Sequence, residues 1–197
     1  MLLDIEGTTC PVAFVSGELF PYAREHLGAY LDQHGQAPGM RELLESVRQA
    51  WRAEQDPSAP PCDQEENTAL PYLQWLIRQD RKFPPLKELQ GRVWEAGYAA
   101  GDLRPRLFAD VRPALEAWRA RGITLGVYSS GSVTAQQLLY RHAEGGDLRG
   151  LFRYWFDTTT GSKTQPESYQ RILEVMGIRP GNVLFVSDSL AELQAAA

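Results

Sequence analysis

The chain has 197 residues, with 20 Lys and Arg against 25 Asp and Glu and a formal net charge of −5. That length holds one well-buried core, or a core with an inserted subdomain, and the acidic balance without a concentrated basic run argues against nucleic acid as a partner. No apolar stretch approaches membrane-spanning length, and the N-terminus lacks a basic region followed by an apolar run and a small-residue cleavage site, so no membrane partner and a cytoplasmic location are expected.

The chain begins with a short apolar run that delivers Asp4, Glu6 and then Gly7, a strand followed by a tight turn. Pro11 to Val15 reads as an apolar connector. Helical spacing follows for nearly ninety residues, predicting helices over Glu18–Asp32 (Leu19, Tyr22, Ala23, Leu27, Tyr30, Leu31; ended by Gly35), Met40–Ala53, Thr68–Asp80 and Leu86–Ala100. Between the second and third, residues 56–63 carry Pro57, Pro60 and Pro61 and must be a loop. Trp51, Trp75 and Trp94 are expected to be core packing. From Leu103 the pattern changes. A helix over Asp110–Ala120, with Pro113 in its first turn, leads through Gly122 into the strand Ile123–Tyr128. Tyr154–Phe156 and Asn182–Val186 repeat that strand signal, each followed by polar residues and a helix. Apolar strands of this kind imply a parallel sheet covered on both faces, so the expected class is α/β: a Rossmann-like parallel sheet core (1–13 and 104–197) interrupted by an all-helical insert (14–103).

Chemistry-bearing residues stand at four strand ends. Asp4 and Glu6 must be solvated, paired or bound to a cation, and a divalent metal with oxygen ligands suits them. Ser129-Ser130-Gly131-Ser132 precedes a helix from Val133 to about His142; it is either a capped turn, with Ser132 as N-cap, or a phosphate site made of hydroxyls and helix-start amides. Lys163 lies between a strand and the helix Glu167–Met176, where it is either a surface lysine or a charge aimed at the strand ends. Asp188 ends the last strand, and Glu192, four residues on, either joins it in an acidic motif or serves the helix dipole. In an open parallel sheet, groups at the carboxyl ends of different strands converge on one ligand. Cys10 and Cys62 form no metal pattern and are expected to be plain thiols. His26, His34 and His142 show no ligand spacing.

Asp4-Ile5-Glu6-Gly7-Thr8-Thr9 resembles the nucleophile loop of the haloacid dehalogenase superfamily, usually Asp-x-Asp-Gly-Thr. Glu in place of the second Asp, the Thr-Thr pair, Tyr128-Ser129-Ser130-Gly131-Ser132, Gly161-Ser162-Lys163 and Ser187-Asp188-Ser189 are similar to one branch, the acireductone synthases of methionine salvage. Asn67–Asp80 and Trp94–Tyr98 look like that branch's cap. The resemblance implies Asp4 as nucleophile, Glu6 as proton carrier, and Lys163 as a catalytic and phosphate-neutralising lysine. It also implies substrate contacts from Ser129 and Ser130, and one Mg²⁺ held by Asp4, a backbone oxygen of Glu6, and Asp188. The implied substrate is a small phosphorylated metabolite, 2,3-diketo-5-methylthiopentyl-1-phosphate, enolised and then dephosphorylated by a monomeric enzyme. A generic capped phosphomonoesterase and an inactive binding homologue are the alternatives. Against the family pattern both ends of the chain look cut, and at least one further strand is expected.

Overall fold

The computed structural model describes residues 1–62, 68–79 and 81–197; the expectations placed on Asp63, Asn67 and Asp80 lie outside those residues. In chain order the elements begin with β1 (Leu2–Leu3), α1 (Val12–Phe14), a π-helical turn (Val15–Leu19) and α2 (Phe20–His34). They continue with α3 (Met40–Ala53), α4 (Leu70–Arg78), α5 (Pro84–Ala100), α6 (Val111–Ala120), β2 (Leu125–Tyr128) and α7 (Val133–Arg141). The last are β3 (Phe152–Phe156), α8 (Pro166–Met176), β4 (Phe185–Val186) and α9 (Leu190–Ala196). The chain divides into two compact units, Met1–Glu18 with Tyr98–Ala197, and Leu19–Gly97.

The first unit is an α/β structure whose described strands form one parallel sheet in the order β3-β2-β1-β4. β1 pairs on both sides: Leu2 stands opposite Gly126 and Phe185, and Leu3 opposite Val127 and Val186. Just before it, the Met1 nitrogen donates to the Thr124 carbonyl at 2.7 Å. From α8, Tyr169, Ile172 and Met176 pack against Leu2, Tyr128 and Phe156, while Tyr140 of α7 meets the rings of Phe152 and Trp155. β2 is buried along its whole length, as a strand covered on both faces should be. β4 is less covered: among the described strands it lies at one end of the order, its residues are half-buried, and the preceding Leu184 is 60 % exposed.

The second unit is helical. α3 buries Met40, Leu44, Val47 and Trp51, and α4 buries Tyr72, Leu73, Trp75 and Leu76, both at helical spacing. The rings of Trp51, Tyr72 and Trp75 stack in succession at 5.6 Å. Their indole nitrogens tie down the proline-rich loop, Trp51 donating to the Pro60 carbonyl at 2.7 Å and Trp75 to Ser58 Oγ at 3.3 Å. Trp94 donates to the Leu19 carbonyl at 2.7 Å. All three tryptophans are therefore buried packing residues with a satisfied polar edge.

One local expectation fails. Pro11–Val15 is not a connector: Val12–Phe14 is already helical and runs through the π-helical turn into α2. Pro11 precedes this start with φ −57°, a position where its missing N–H removes no intrahelical bond.

Candidate active site

Asp4 leaves β1 at its carboxyl end, and the chain turns at once. The amides of Thr8, Thr9 and Cys10 all donate to the Ile5 carbonyl, at 3.1, 2.9 and 2.9 Å, and the Gly7 amide donates to the Cys10 carbonyl at 2.8 Å. So tight a turn requires φ 73° at Gly7, which glycine adopts without steric cost. The Ile5 amide donates to Asp4 Oδ1 at 2.7 Å and so orients the carboxyl group. Thr9 Oγ1, 2.7 Å from the buried Tyr140 hydroxyl, anchors the far side of the turn.

Because Leu3 is in register with Val127 and Val186, and Tyr128 with Phe156, residues 4, 129, 157 and 187–188 all leave the sheet at one edge. Ser129 is buried, and its hydroxyl accepts from the Gly131 amide at 3.4 Å; Ser130 is exposed. Ser132 caps α7 by accepting from the Ala135 amide at 3.3 Å, as its position predicts. The start of α7 offers less to a ligand than its sequence suggests. Asp157, from the end of β3, accepts from the Val133 amide at 3.2 Å, so two amides of the first turn already have protein partners.

Lys163 arrives on a loop held by two tyrosines. Tyr128 donates to the Gly161 carbonyl at 2.9 Å and Tyr169 to the Lys163 carbonyl at 2.7 Å, with their rings edge to face. The lysine is buried rather than a surface residue. Its Nζ lies 2.6 Å from Asp4 Oδ1 and 2.7 Å from Glu192 Oε2. From the end of β4, the Ser187 hydroxyl donates to Glu192 Oε2 at 2.9 Å, and the Asp188 amide donates to Thr8 Oγ1 at 3.1 Å. The Asp188 carboxylate lies against the Cα of Gly7, where an added Cβ would come within 2.5 Å of Asp188 Cγ. Direct contact thus joins Asp4, Lys163 and Glu192, with Asp188 against the Gly7 turn. Ser129 and Ser130 stand at the same edge.

Sequence reasoning did not find the Glu192–Lys163 contact, the Ser187 bridge or the tyrosine clamp. The four-residue step from Asp188 to Glu192 was visible, but which partner the glutamate meets depends on where the Lys163 loop lands.

Burial pushes the Asp4 carboxyl above its ordinary value, opposed by the adjacent Lys163 ammonium. Glu6 is raised by burial, then by the charge of Asp4, with smaller contributions from Asp188 and Glu192. Asp4 is buried, Glu6 and Glu192 are half-buried and Asp188 is exposed, so beside the Lys163 ammonium carboxylates are in excess, and a bound cation would offset that charge. Among the described residues, no three His, Cys, Asp or Glu side chains converge to hold a metal by themselves. Mg²⁺ does not need that: it takes one or two carboxylates, keeps several waters and shares phosphate oxygens. Asp4 and Asp188 supply that number of hard oxygen ligands. Among the described residues, the turn's backbone bonds end on the carbonyls of Ile5 and Cys10, not on that of Glu6.

A model of haloacid dehalogenase-like hydrolases matches residues 1–197. The chain is 53 % identical to enolase-phosphatase E1 of Synechococcus sp. (strain RCC307), over 100 % of this chain and 80 % of that protein. To enolase-phosphatase E1 of Sorangium cellulosum it is 50 % identical, over 100 % of this chain and 82 % of that protein. Among solved structures, the UTR4 protein of Saccharomyces cerevisiae superposes with a TM-score of 0.79 at 32 % identity, covering 99 % of this chain and 83 % of that one.

Proposed function

The chain belongs to the haloacid dehalogenase-like hydrolases, in the enolase-phosphatase E1 family, and from that premise we propose that it converts 2,3-diketo-5-methylthiopentyl-1-phosphate to the acireductone and inorganic phosphate in methionine salvage. The observation that carries the reading is the Asp4–Lys163 contact of 2.6 Å beside Glu6, at the edge where the strands end.

In the phosphatase half, Asp4 attacks phosphorus: an Asp4 Oδ–P bond forms, the bond from phosphorus to the substrate oxygen breaks, and Glu6 gives its proton to the departing oxygen. Water then attacks the aspartyl-phosphate and passes its proton to Glu6, phosphate leaves, and Asp4 is restored. A raised pKa suits Glu6 to this exchange, because it makes the carboxylate a better acceptor of the proton it must later give back. Lys163 offsets the repulsion between the anionic nucleophile and the anionic phosphoryl group. Ser129 and Ser130 receive the phosphoryl oxygens. Mg²⁺, held by Asp4, the Glu6 carbonyl and Asp188, would neutralise phosphoryl charge when bound. The enolisation that precedes phosphoryl transfer takes place in the same site. Residues 14–103 act as the cap that selects the substrate, and the enzyme works as a cytoplasmic monomer.

The test follows enol absorbance and phosphate together during Mg²⁺-dependent turnover of the diketone phosphate by wild type and Asp4→Asn. Enol formation followed by phosphate release, with the release lost in Asp4→Asn, is expected. Release from unrelated esters with no enol from this substrate would reduce the activity to that of a general phosphomonoesterase.

A further inference from the structure

We infer that Glu192 is a positioning residue for Lys163 and not a ligand of the cation, and that Ser187 holds it in that role; the inference rests on the phosphatase reading of this site. Lysine carries a long stem with large rotamer freedom, so a buried catalytic lysine needs something besides its reaction partner to fix its ammonium. Here two carboxylate oxygens flank Nζ, Asp4 Oδ1 at 2.6 Å and Glu192 Oε2 at 2.7 Å, both at the short end for charge-assisted bonds. The Lys163 and Glu192 side chains are only 9 % and 15 % exposed. With two of its protons directed at these oxygens, the third is left for a transferring phosphoryl group.

Glu192 is itself held. Its Oε2 also accepts from the Ser187 hydroxyl at 2.9 Å, and Ser187 Oγ accepts from the Ser189 amide at 3.1 Å. Ser187 Oγ lies farther, at 3.4 Å, from Asp4 Oδ2. The amide at 189 fixes the hydroxyl, the hydroxyl fixes the carboxylate, and the carboxylate fixes the ammonium. The oxygen that takes both Nζ and the hydroxyl proton is committed to the protein. Asp188, whose carboxylate faces the Gly7 turn, makes no such commitment in the contacts just described.

The experiment compares wild type, Glu192→Gln, Lys163→Met, the double variant and Ser187→Ala. It measures kcat, KM and the Mg²⁺ half-saturation on the diketone phosphate, together with the rate at which formaldehyde and a hydride donor methylate Lys163 in the metal-free protein. Glu192→Gln is expected to lower kcat about 10- to 100-fold, the size of effect that misplacing a catalytic group brings. Its Mg²⁺ half-saturation should stay at the wild-type value, and Lys163 should be methylated several-fold faster than in wild type, on the order expected from losing a charge-assisted bond. The double variant should be no slower than Lys163→Met, because the glutamate acts only through the lysine. Losses that add, or a half-saturation raised about tenfold or more as for a lost metal contact, overturn the inference. Ser187→Ala removes no charge and serves if Glu192→Gln does not fold: faster methylation of Lys163 is expected, and a wild-type rate overturns the chain of contacts. Absence of metal-dependent phosphate release from wild type would count against the proposed function alone, since the methylation rates read Lys163 without turnover.

Discussion

Replacing Gly7 by alanine separates what the turn after Asp4 does for the fold from what it does for the site. At φ 73° an L-residue is strained, by about 1–2 kcal/mol for the left-handed conformation. In a protein of this size that lowers Tm by roughly 2–8 °C. The new Cβ also lands on the Asp188 carboxylate, within 2.5 Å of Cγ. The Asp188 amide is tethered to Thr8 Oγ1 at 3.1 Å, so the backbone cannot withdraw easily and the side chain must rotate out. Asp188 is exposed, so that rotation costs the fold little. It does remove a carboxylate from the proposed Mg²⁺ ligands, and the half-saturation should rise about 10- to 100-fold, as for loss of a supporting metal contact. Gly177→Ala is the control. Gly177 has φ 65° with nothing within 4 Å of an added Cβ, so it carries the same backbone strain with no neighbour to displace. Thermal melts and Mg²⁺ titrations of turnover on both variants make the comparison. A matched loss of Tm, with Mg²⁺ dependence altered only in Gly7→Ala, is expected; an unaltered half-saturation in Gly7→Ala would refute the placing of Asp188 among the ligands.

Tyr169→Phe leaves the Lys163 carbonyl without its buried donor, at a cost of about 1–3 kcal/mol for an unsatisfied buried acceptor. It should lower kcat more than it raises KM, because the loop carrying Lys163 loosens while Ser129 and Ser130, the other proposed phosphate contacts, stay; urea melts and steady-state kinetics check both parts, and equal falls in substrate affinity and turnover would contradict the clamp. The Cys10 thiol is fully buried and pushed from 9.0 up to about 12, first by burial and then by the charges of Glu6 and Glu18. The unfolded chain loses this proton near its ordinary value while the folded chain keeps it, so stability is intact below about pH 8 and falls as pH rises from about 9 towards 12. The slope approaches about 1.4 kcal/mol per pH unit. Urea melts at pH 8, 9 and 10 should show this fall in wild type and a flatter dependence in Cys10→Ala; identical slopes would rule the thiol out.

The secondary structure was largely legible from local rules, for a local reason. Spacing and end signals placed α3 at Met40–Ala53 and ended α6 and α7 within a residue of where they stop, because helix periodicity and capping act over a few neighbours. Where those rules misled, the deciding information was tertiary. Pro11–Val15 reads as a short apolar connector, yet Val12–Val15 is drawn into a helical run that continues as α2.

For the candidate site, the sequence by itself determined which groups are available: carboxyls at 4, 6, 188 and 192, hydroxyls at 129 and 130, and an amine at 163. It also determined that strand ends would carry them, since apolar runs stopping at polar turns are written in the residue order. Only the tertiary structure decided who touches whom. Asp4 and Lys163 are 159 positions apart, and nothing local tells the lysine that Asp4 lies on one side of its ammonium and Glu192 on the other. Parallel register brings the strand ends to one edge, and two tyrosine hydroxyls set the height of the lysine loop. Ser187, unremarkable in the sequence, becomes a link only because β4 ends beside β1. Contacts of this kind form at angstrom precision between segments joined by long stretches of chain, and sequence patterns, which speak of neighbours, do not carry that information.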